Sequence, residues 1–594
     1  MIEIRKLSTI VELEERKTLL ENNGLKETKA NYIIGLFELE KLLATGAIND
    51  NVIQTVAVEK DRQGEGLMNT LITELYTYGR NNGYKDIFIF SKTGNEKIFQ
   101  SCGFTTVSKT DKWIFLESDK NGLDKWIDKY KYLAKEENSC IVMNANPFTL
   151  GHHYLVEKAL ENLNRNDKLI IFVVEQNSSY FDFKTRFELV NLGLSDINQK
   201  KQIIIIPSGP YILSMATFPT YFTKDEEEAE FACSQLDINL FAQKIAPKLN
   251  IIKRFVGTEE NDITTACYNK NLFSSINYLV QIPRLKLTGT PISASWVRKY
   301  YNENNFQEMK KLLPNLNYQY LVSKRISSLA FNSLIEEVNL TPKPGLVDQN
   351  NNGSHKDMNI SLFFKSSNTI EPYLFKISQF CFNLDPQKNK KDLNFEIRKI
   401  GIECEKAMFE ATSGINTHKG AIFSFSLFIY AIIQLTQEQA ILSSISIGNR
   451  IKLISTNFDK EFKSSDSSSK GQIAYKLYKL KGIRGEAQLG YIHVIDAFAF
   501  FKTLLKTYCY KTSLCWTLIW LIANIDDTNI VTRKDFETGK WAQTECQKAL
   551  KTKDFNNLEI IKELDRKFIK KNISPGGSAD LLALTIFLYK LSCN

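Results

Sequence analysis

Between Cys140 and Ile282 the chain carries apolar runs of strand length at Cys140–Asn144, Leu169–Val174, Ile203–Pro207, Ile251–Val256 and Tyr278–Ile282, with helical patterns between them. A run without polar alternation has to be covered on both faces, and runs separated by helices pair in parallel through crossovers. The pattern predicts an α/β layer with helices on both sides of a parallel sheet.

Residues 1–130 have a different texture, mixing short strands and helices and ending in the strand-like Lys112–Leu116. Beyond Arg325 the texture changes again, to long apolar helical patterns such as Tyr491–Leu505 and Thr512–Ile525. The polar segments Lys460–Gly471 and Asp385–Asn394 read as loops inside this helical block. At 594 residues the chain is expected to be multidomain. It divides into an α+β domain at 1–130, an α/β domain at 131–325 and a mostly α-helical domain at 326–594. Gly420–Gln437 holds no charge and is just long enough to be weighed as a membrane span. Ser424, Ser426 and Gln434 within it favour a buried core helix.

Charge narrows the function. A net +9, from 76 Lys and Arg against 67 Asp and Glu, is thin for this length. It suits anionic small molecules and excludes the dense basic stripe of a nucleic-acid binder. Ten cysteines without a Cys-x-x-Cys pair point to reduced thiols and no zinc finger. The Met-Ile-Glu-Ile-Arg-Lys start has no apolar export core. The expectation is a cytoplasmic protein with neither nucleic acid nor membrane as a partner.

In the middle block, Ile141–Glu157 reads as a buried strand, a turn and a helix, with Thr149-Leu-Gly-His152 at the turn. A helix start offers unpaired N–H groups and a positive dipole end to phosphate. Gly151 lets a nucleotide approach the backbone, and His152 donates to phosphate oxygens as charge grows on them. In the segment Gly289–Arg298, Ser293 or Ser295 caps a helix that presents Arg298. Arginine's planar fork suits the β- and γ-phosphates of ATP. The Thr-x-Gly-His turn and the Ile292-Ser-Ala-Ser-Trp-Val-Arg298 helix resemble the nucleotidyltransferase superfamily. That resemblance implies a Rossmann-like fold and transfer of ATP's adenylyl group with release of pyrophosphate.

With Asn144-Ala-Asn-Pro-Phe-Thr149, Phe183–Glu188, Tyr211–Phe222 and Val256–Asp262, residues 1–325 resemble the citrate lyase ligases. This implies activation of acetate as acetyl-adenylate, then transfer of the acetyl group to a thiol on the citrate lyase acyl carrier subunit. His152, Lys184 and Arg298 are then the catalytic candidates, with Thr149, Gly151, Ser293, Ser295 and Arg186 binding the nucleotide. By the same resemblance Lys184 and Arg186 contact phosphates or the acetate carboxylate. Val56–Met68 resembles the acyl-CoA pyrophosphate loop of the N-acetyltransferase fold, with Met68 where that family expects Gly or Ala. Its role is left as docking of the carrier's phosphopantetheine-like arm or as a structural module.

The helical block has its own polar clusters. Glu337–Met358 brings Asp348, His355 and Asp357 together with Lys343 and Lys356, a composition suited to a triphosphate and its Mg²⁺. Thr412–Gly420, Gly482–Ala487, Asp527–Asn529 and Ser574–Asp580 follow, and all but the Asp-Thr-Asn triplet set charged or amide side chains beside glycine. Together they resemble triphosphoribosyl-dephospho-CoA synthase over 326–594, although Arg533-Lys-Asp535 departs from the family's usual Arg-Gly-Gly. The resemblance implies condensation of ATP with 3′-dephospho-CoA and release of adenine. It makes Asp348, Asp357 and Glu486 catalytic, with Asp348 and Asp357 on the metal. Lys343, His355, His418, Lys419, Arg484 and Asp580 would hold the nucleotide.

The whole reads as a bifunctional citrate lyase maturation enzyme using ATP and Mg²⁺. The competing reading is an adenylyltransferase for pantetheine phosphate or a nicotinamide nucleotide, fused to a non-catalytic helical docking module.

Overall fold

The computed structural model describes residues 2–175, 179–197, 202–212, 226–258, 278–384, 390–456 and 470–592. The chain forms two units, Met1–Arg298 with Leu312–Asn317, and Lys299–Lys311 with Tyr318–Asn594.

The first unit opens with β1 (Glu3–Lys6), β2 (Tyr32–Glu38), β3 (Lys41–Asn49), β4 (Val52–Val58), β5 (Phe88–Lys92), β6 (Thr105–Lys109) and β7 (Trp113–Glu117). They make one mixed sheet in the order β1-β2-β3-β4-β5-β7-β6, in which only β4 and β5 run parallel. Strand alternation sends Ile89, Ile114 and Leu116 to one face, where Leu71, Ile72 and Leu75 of the helix Leu67–Asn81 cover them. Phe88, Phe90, Trp113 and Phe115 point the other way.

That second face is not closed by its own residues. Trp126, Phe172, Tyr211 and Phe241 complete its core, so residues 1–130 and the block that follows share one hydrophobic interior. Inside it the Tyr211 hydroxyl meets the Glu117 carboxyl, and burial pushes both groups up in pKa. Of the Tyr211–Phe222 motif, only Tyr211 and Ile212 lie within the described residues.

All five apolar runs are strands, within two residues of their expected ends. They are β8 (Asn138–Met143), β9 (Lys168–Val173), β10 (Ile203–Pro207), β11 (Ile251–Gly257) and β12 (Leu279–Ile282). They form a wholly parallel sheet in the order β10-β9-β8-β11-β12. The chain builds outward from β8 to one edge, then returns to add β11 on the other side. In such sheets a crevice opens at the carboxyl ends where the winding reverses, here those of β8 and β11.

Among its described residues the second unit is helical. Its centre is Lys419–Gln437, the one helix among those described that is long and apolar enough to cross a membrane. That helix is 83% buried inside the protein over its most apolar window. Ser424 and Ser426 return their hydroxyls to the Gly420 and Ile422 carbonyls, and Gln434 donates to the Cys381 carbonyl. Helices Ile360–Phe382, Lys390–Ala411, Ser444–Ile454 and Gly576–Ser592 pack around it. The two loop expectations fall partly outside the described residues, at 385–389 and 460–469. The parts that are described, Lys390–Asn394 and Lys470–Gly471, begin helices instead.

Candidate functional sites

In the first unit the segment Asn144–Thr149 leaves the carboxyl end of β8 and enters the helix Leu150–Glu161. Phe148 anchors it from below. A Cβ on Gly193 would lie 2.5 Å from the Phe148 ring, and the ring stacks 5.5 Å from that of His152. The His152 Nδ1 accepts from the Thr149 N–H at 3.1 Å and sits 2.9 Å from Thr149 Oγ1. Accepting at Nδ1 leaves the proton of a neutral ring on Nε2. Burial, then the Arg284 charge, pushes the imidazole down to about 4, so it is neutral near pH 7. The geometry therefore offers one oriented N–H donor and no exchangeable charge. Gly151 beside it would place a Cβ 3.6 Å from the Ile292 carbonyl, an ordinary contact, so its backbone is close to the Ile292–Ser293 segment.

Ser293 precedes the helix Ala294–Asn302, accepts from the Ser295 N–H at 3.3 Å and lies 2.7 Å from Ser295 Oγ. Arg298, one turn on, donates to the Asn146 carbonyl at 2.6 Å, which binds this helix start to the loop after β8. Thr149, Gly151, His152, Ser293, Ser295 and Arg298 are thus gathered around one loop. Arg284, which sequence reasoning missed, joins them through its charge on His152. Its only signal was a cation just beyond the last strand.

Two expected contacts are placed differently. Arg186 is fully buried, with Nε donating to the Phe181 carbonyl at 3.0 Å and Nη1 to those of Asn144 and Val174 at 2.7 and 2.8 Å. It ties the ends of β8 and β9 together instead of pointing at phosphate. The sequence showed a cation on a helix but not three carbonyls waiting beneath it. Lys184 is exposed on the same helix, Phe183–Gly193. Glu259–Asp262 of the Val256–Asp262 motif lie outside the described residues.

In the second unit the clusters spread from Glu337 to Asp580 meet. A Cβ on Gly420 would lie 2.1 Å from Asp580 Oδ2, one on Gly577 3.1 Å from both Asp527 oxygens, and one on Gly482 3.0 Å from Thr528. Each glycine in one cluster is the space a polar residue of another occupies. Asp527 accepts from the Asn529 and Ser578 N–H groups at 2.9 and 2.8 Å. His355 Nε2 is 2.7 Å from Ser574 Oγ. Asp580 accepts no hydrogen bond among the described residues. Burial, then the Glu337 and Asp527 charges, holds its carboxyl well above the usual carboxylate range.

His418 stands at the start of the central helix. Thr417 donates to Ser366 Oγ, which lies 2.7 Å from His418 Nδ1. The Ser366 proton is thereby directed to Nδ1, and the ring hydrogen falls on Nε2, which is buried without a partner. Burial, then Lys343, pushes this ring down to about 3. Glu486 Oε1 bonds His493 Nδ1 at 2.7 Å, while its Oε2 is buried without a partner. His493 was not among the expected site residues. Its signal was to be one of only five histidines, six positions beyond the Gly482–Ala487 cluster.

The metal expectation does not survive. Asp348 Oδ2 accepts from Thr341 Oγ1 and the Lys343 N–H at 2.7 and 3.3 Å, and Oδ1 from the Asn350 and Asn351 N–H groups at 2.7 and 2.9 Å. Four donors use up a carboxylate's lone pairs. Asp348 shapes its loop, then, and has nothing left for Mg²⁺. Asp357 is exposed, 3.7 Å from His355 Nδ1. Among the described residues no three His, Cys, Asp or Glu are grouped to hold a metal ion. Lys343 is likewise committed, its Nζ donating to the Glu337 carbonyl and Oε1 at 2.8 and 2.7 Å. Lys419 pairs with Glu405 at 2.9 Å, and Arg484 is half-buried on the helix Gly482–Gln488.

Comparison with known proteins divides the chain near residue 322, so the ligase match takes in Lys299–Lys311 and 318–321 of the second unit. Residues 138–321 match the model of the citrate lyase ligase C-terminal domain, and residues 323–594 that of ATP:dephospho-CoA triphosphoribosyl transferase. A citrate (pro-3S)-lyase ligase of Haemophilus influenzae is 34% identical over 54% of this chain and 96% of its own length. A 2-(5′′-triphosphoribosyl)-3′-dephosphocoenzyme-A synthase of Haemophilus ducreyi is 36% identical over 46% of this chain and 90% of its own. The solved structure of an acyl-CoA N-acyltransferase from Pseudomonas aeruginosa matches at 15% identity over 20% of this chain and 100% of that chain, with a TM-score of 0.18.

Proposed function

The chain belongs to the citrate lyase ligase family in its first half and to the triphosphoribosyl-dephospho-CoA synthase family in its second, and from that premise we propose how one polypeptide serves both ends of a cofactor's maturation. It is a bifunctional citrate lyase maturation enzyme. The second half joins ATP to 3′-dephospho-CoA and releases adenine, making the precursor of the prosthetic group. The first half acetylates the thiol of that group once the acyl carrier subunit bears it, with acetyl-adenylate as the activated intermediate. A carboxylate expels oxide poorly, and AMP gives it a leaving group.

In the first half, a Rossmann-like nucleotidyltransferase domain, the ATP phosphates lie over the start of the helix Leu150–Glu161. The His152 Nε2–H stabilises charge on the α-phosphate as acetate displaces pyrophosphate, and a neutral donor does so without competing for the acetate. Arg298, already bound to Asn146, holds the distal phosphates, with the exposed Lys184 at the rim. In the second half, Asp580 and Asp527 stand beside the anomeric carbon, and the positive charge that grows there as adenine leaves draws their carboxyls, whose ionisation burial holds back, into the charged form. The His418 Nε2–H and His355 serve the triphosphate. Mg²⁺ fits neither Asp348 nor an Asp348–Asp357 pair and is carried in on the nucleotide's own phosphates. The mixed sheet of residues 1–130, N-acetyltransferase-like by its Val56–Met68 segment, receives the pantetheine arm. The setting is the cytoplasm, with the carrier subunit, acetate and dephospho-CoA as partners.

The observation that carries this reading is the meeting of five separate polar clusters, two of the contacts being glycine against carboxylate, within the matched synthase residues. Purified protein given ATP, dephospho-CoA and Mg²⁺ should release free adenine, and given acetate and deacetylated lyase should release pyrophosphate. Adenine release that ignores dephospho-CoA, or pyrophosphate release that ignores acetate, refutes the corresponding half.

A further inference from the structure

Glu486 and His493 lie on different helices, Gly482–Gln488 and Ile492–Leu504, and meet only because the connection between them is forced into an unusual shape. Gly490 and Tyr491 both have left-handed backbone, at φ 74° and 55°. For tyrosine that conformation costs about 1–2 kcal/mol. The turn is pinned from outside, since a Cβ on Gly490 would lie 2.5 Å from the Gly448 carbonyl and one on Gly448 2.6 Å from the Gly490 carbonyl. The Tyr491 N–H closes it on the Glu486 carbonyl at 2.7 Å. This geometry delivers a carboxylate oxygen to an imidazole Nδ1 at 2.7 Å.

His493 is in the first turn of its helix, where the dipole disfavours a charged ring. The surrounding charges outweigh it. Glu486 first, by its hydrogen bond and its charge, and then Asp496 and Asp526 hold the imidazole above its ordinary pKa. Asp526 is itself paired with Lys540 at 2.8 Å. A helix-start histidine that merely capped would not need a carboxylate buried behind it with one oxygen unpartnered. The dyad borders the site already described, because Gly482, at the start of the helix that carries Glu486, abuts the Thr528 side chain next to Asp527.

We propose that His493, oriented through Nδ1 by Glu486, is the acid that protonates adenine as it leaves. The inference rests on the synthase reading above. The bond from C1′ of the ribose to N9 breaks, and its electron pair goes to the purine. The Nε2 proton of His493 moves to a ring nitrogen, so the product is neutral adenine. The acceptor hydroxyl oxygen bonds to C1′ and gives its proton to water, from which His493 is recharged.

The test uses the full chain and follows adenine release with ATP and with 8-azaadenosine triphosphate, whose base departs without needing a proton as strongly. H493Q should slow release from ATP by about 10²–10⁴-fold, the usual worth of a positioned acid, and by much less from the 8-aza nucleotide. The wild-type rate should fall as pH rises through the His493 pKa, and E486Q should move that fall to lower pH. An unchanged thermal melt of the second unit reports that each variant is folded, and acetate-dependent pyrophosphate release, which uses the other unit, should stay at the wild-type rate. H493Q within threefold of wild type, or an equal loss with both nucleotides, overturns the proposal, as does an E486Q profile that does not move. A wild-type protein that releases no adenine overturns the synthase reading and this inference with it.

Discussion

Gly420→Ala tests whether the packing between clusters sets the chemistry of the second unit. The new methyl would lie 2.1 Å from Asp580 Oδ2 and 3.2 Å from its Cγ. Ordinary carbon–oxygen contact begins more than an ångström further out, so the carboxyl has to turn away or the helix Gly576–Ser592 has to retreat. A displacement of about 1 Å at a reacting group costs on the order of 10²-fold in rate, or about 2.7 kcal/mol of barrier. The folding effect runs the other way, because alanine in place of glycine near a helix start favours the helix by up to about 1 kcal/mol. That gain offsets much of the local strain, so Tm should change little. Adenine release measured by chromatography should therefore drop about a hundredfold while Tm and acetate-dependent pyrophosphate release stay near wild type. G420A that releases adenine within twofold of wild type, at unchanged Tm, would show that Asp580 has no fixed part in the reaction.

Asp348→Asn turns an amide NH₂ toward backbone N–H groups that now donate to a carboxylate; it should cost about 2 kcal/mol in urea unfolding of the second unit. Mn²⁺ affinity, read by electron paramagnetic resonance, should be unchanged, whereas a metal ligand would lose it. Arg186→Lys removes a fork that serves three carbonyls and should cost about 3 kcal/mol, with the KM for ATP unchanged at a temperature where the variant is folded. An Arg186 that touched phosphate would give the reverse. Asp580→Asn should abolish adenine release yet raise stability, and pH reveals the sign. The folded carboxyl pKa lies above the unfolded one because of burial, Glu337 and Asp527. Below the unfolded value of about 3.9 both states are protonated and the substitution gains nothing. As pH rises above it the folded state resists ionisation and pays an increasing penalty, so the Tm advantage of D580N should grow from pH 4 toward pH 8. A constant advantage would mean that the carboxyl ionises freely.

Much of the fold was legible because burial on both faces leaves strands with no polar alternation, and Leu169–Val173 could hardly be anything else. The clusters were legible for a related reason. A glycine that gives way to another segment's carboxylate stands next to polar residues of its own, as Gly420 follows His418 and Lys419. What sequence could not give is the consumption of lone pairs and protons. Asp348, Lys343 and Arg186 have the residue types of a phosphate and metal site, and they are engaged by backbone groups and by the Thr341 and Glu337 side chains instead. Nor could it pair Ser366 with His418, 52 positions apart, which fixes that ring's tautomer. The shared core around Tyr211 and Glu117 was equally hidden, since residues 94 apart in sequence carry no mutual signal.

The two sites differ in the sign of what they offer, and the difference follows from where charge develops. Displacement at phosphorus piles negative charge on oxygens, and the first unit presents His152 as a neutral N–H donor with Arg284 and Arg298 nearby. Departure of a base from C1′ leaves positive charge on the sugar, and the second unit presents Asp580 with Asp527 and Glu337 close enough to raise its cost of ionisation. A single pocket could not serve both steps, because carboxylates that steady an oxocarbenium would repel the pentavalent phosphate. The histidines obey the same division. His152, pushed down to about 4, never needs to give up a proton, while His493, held up by Glu486, is built to part with one.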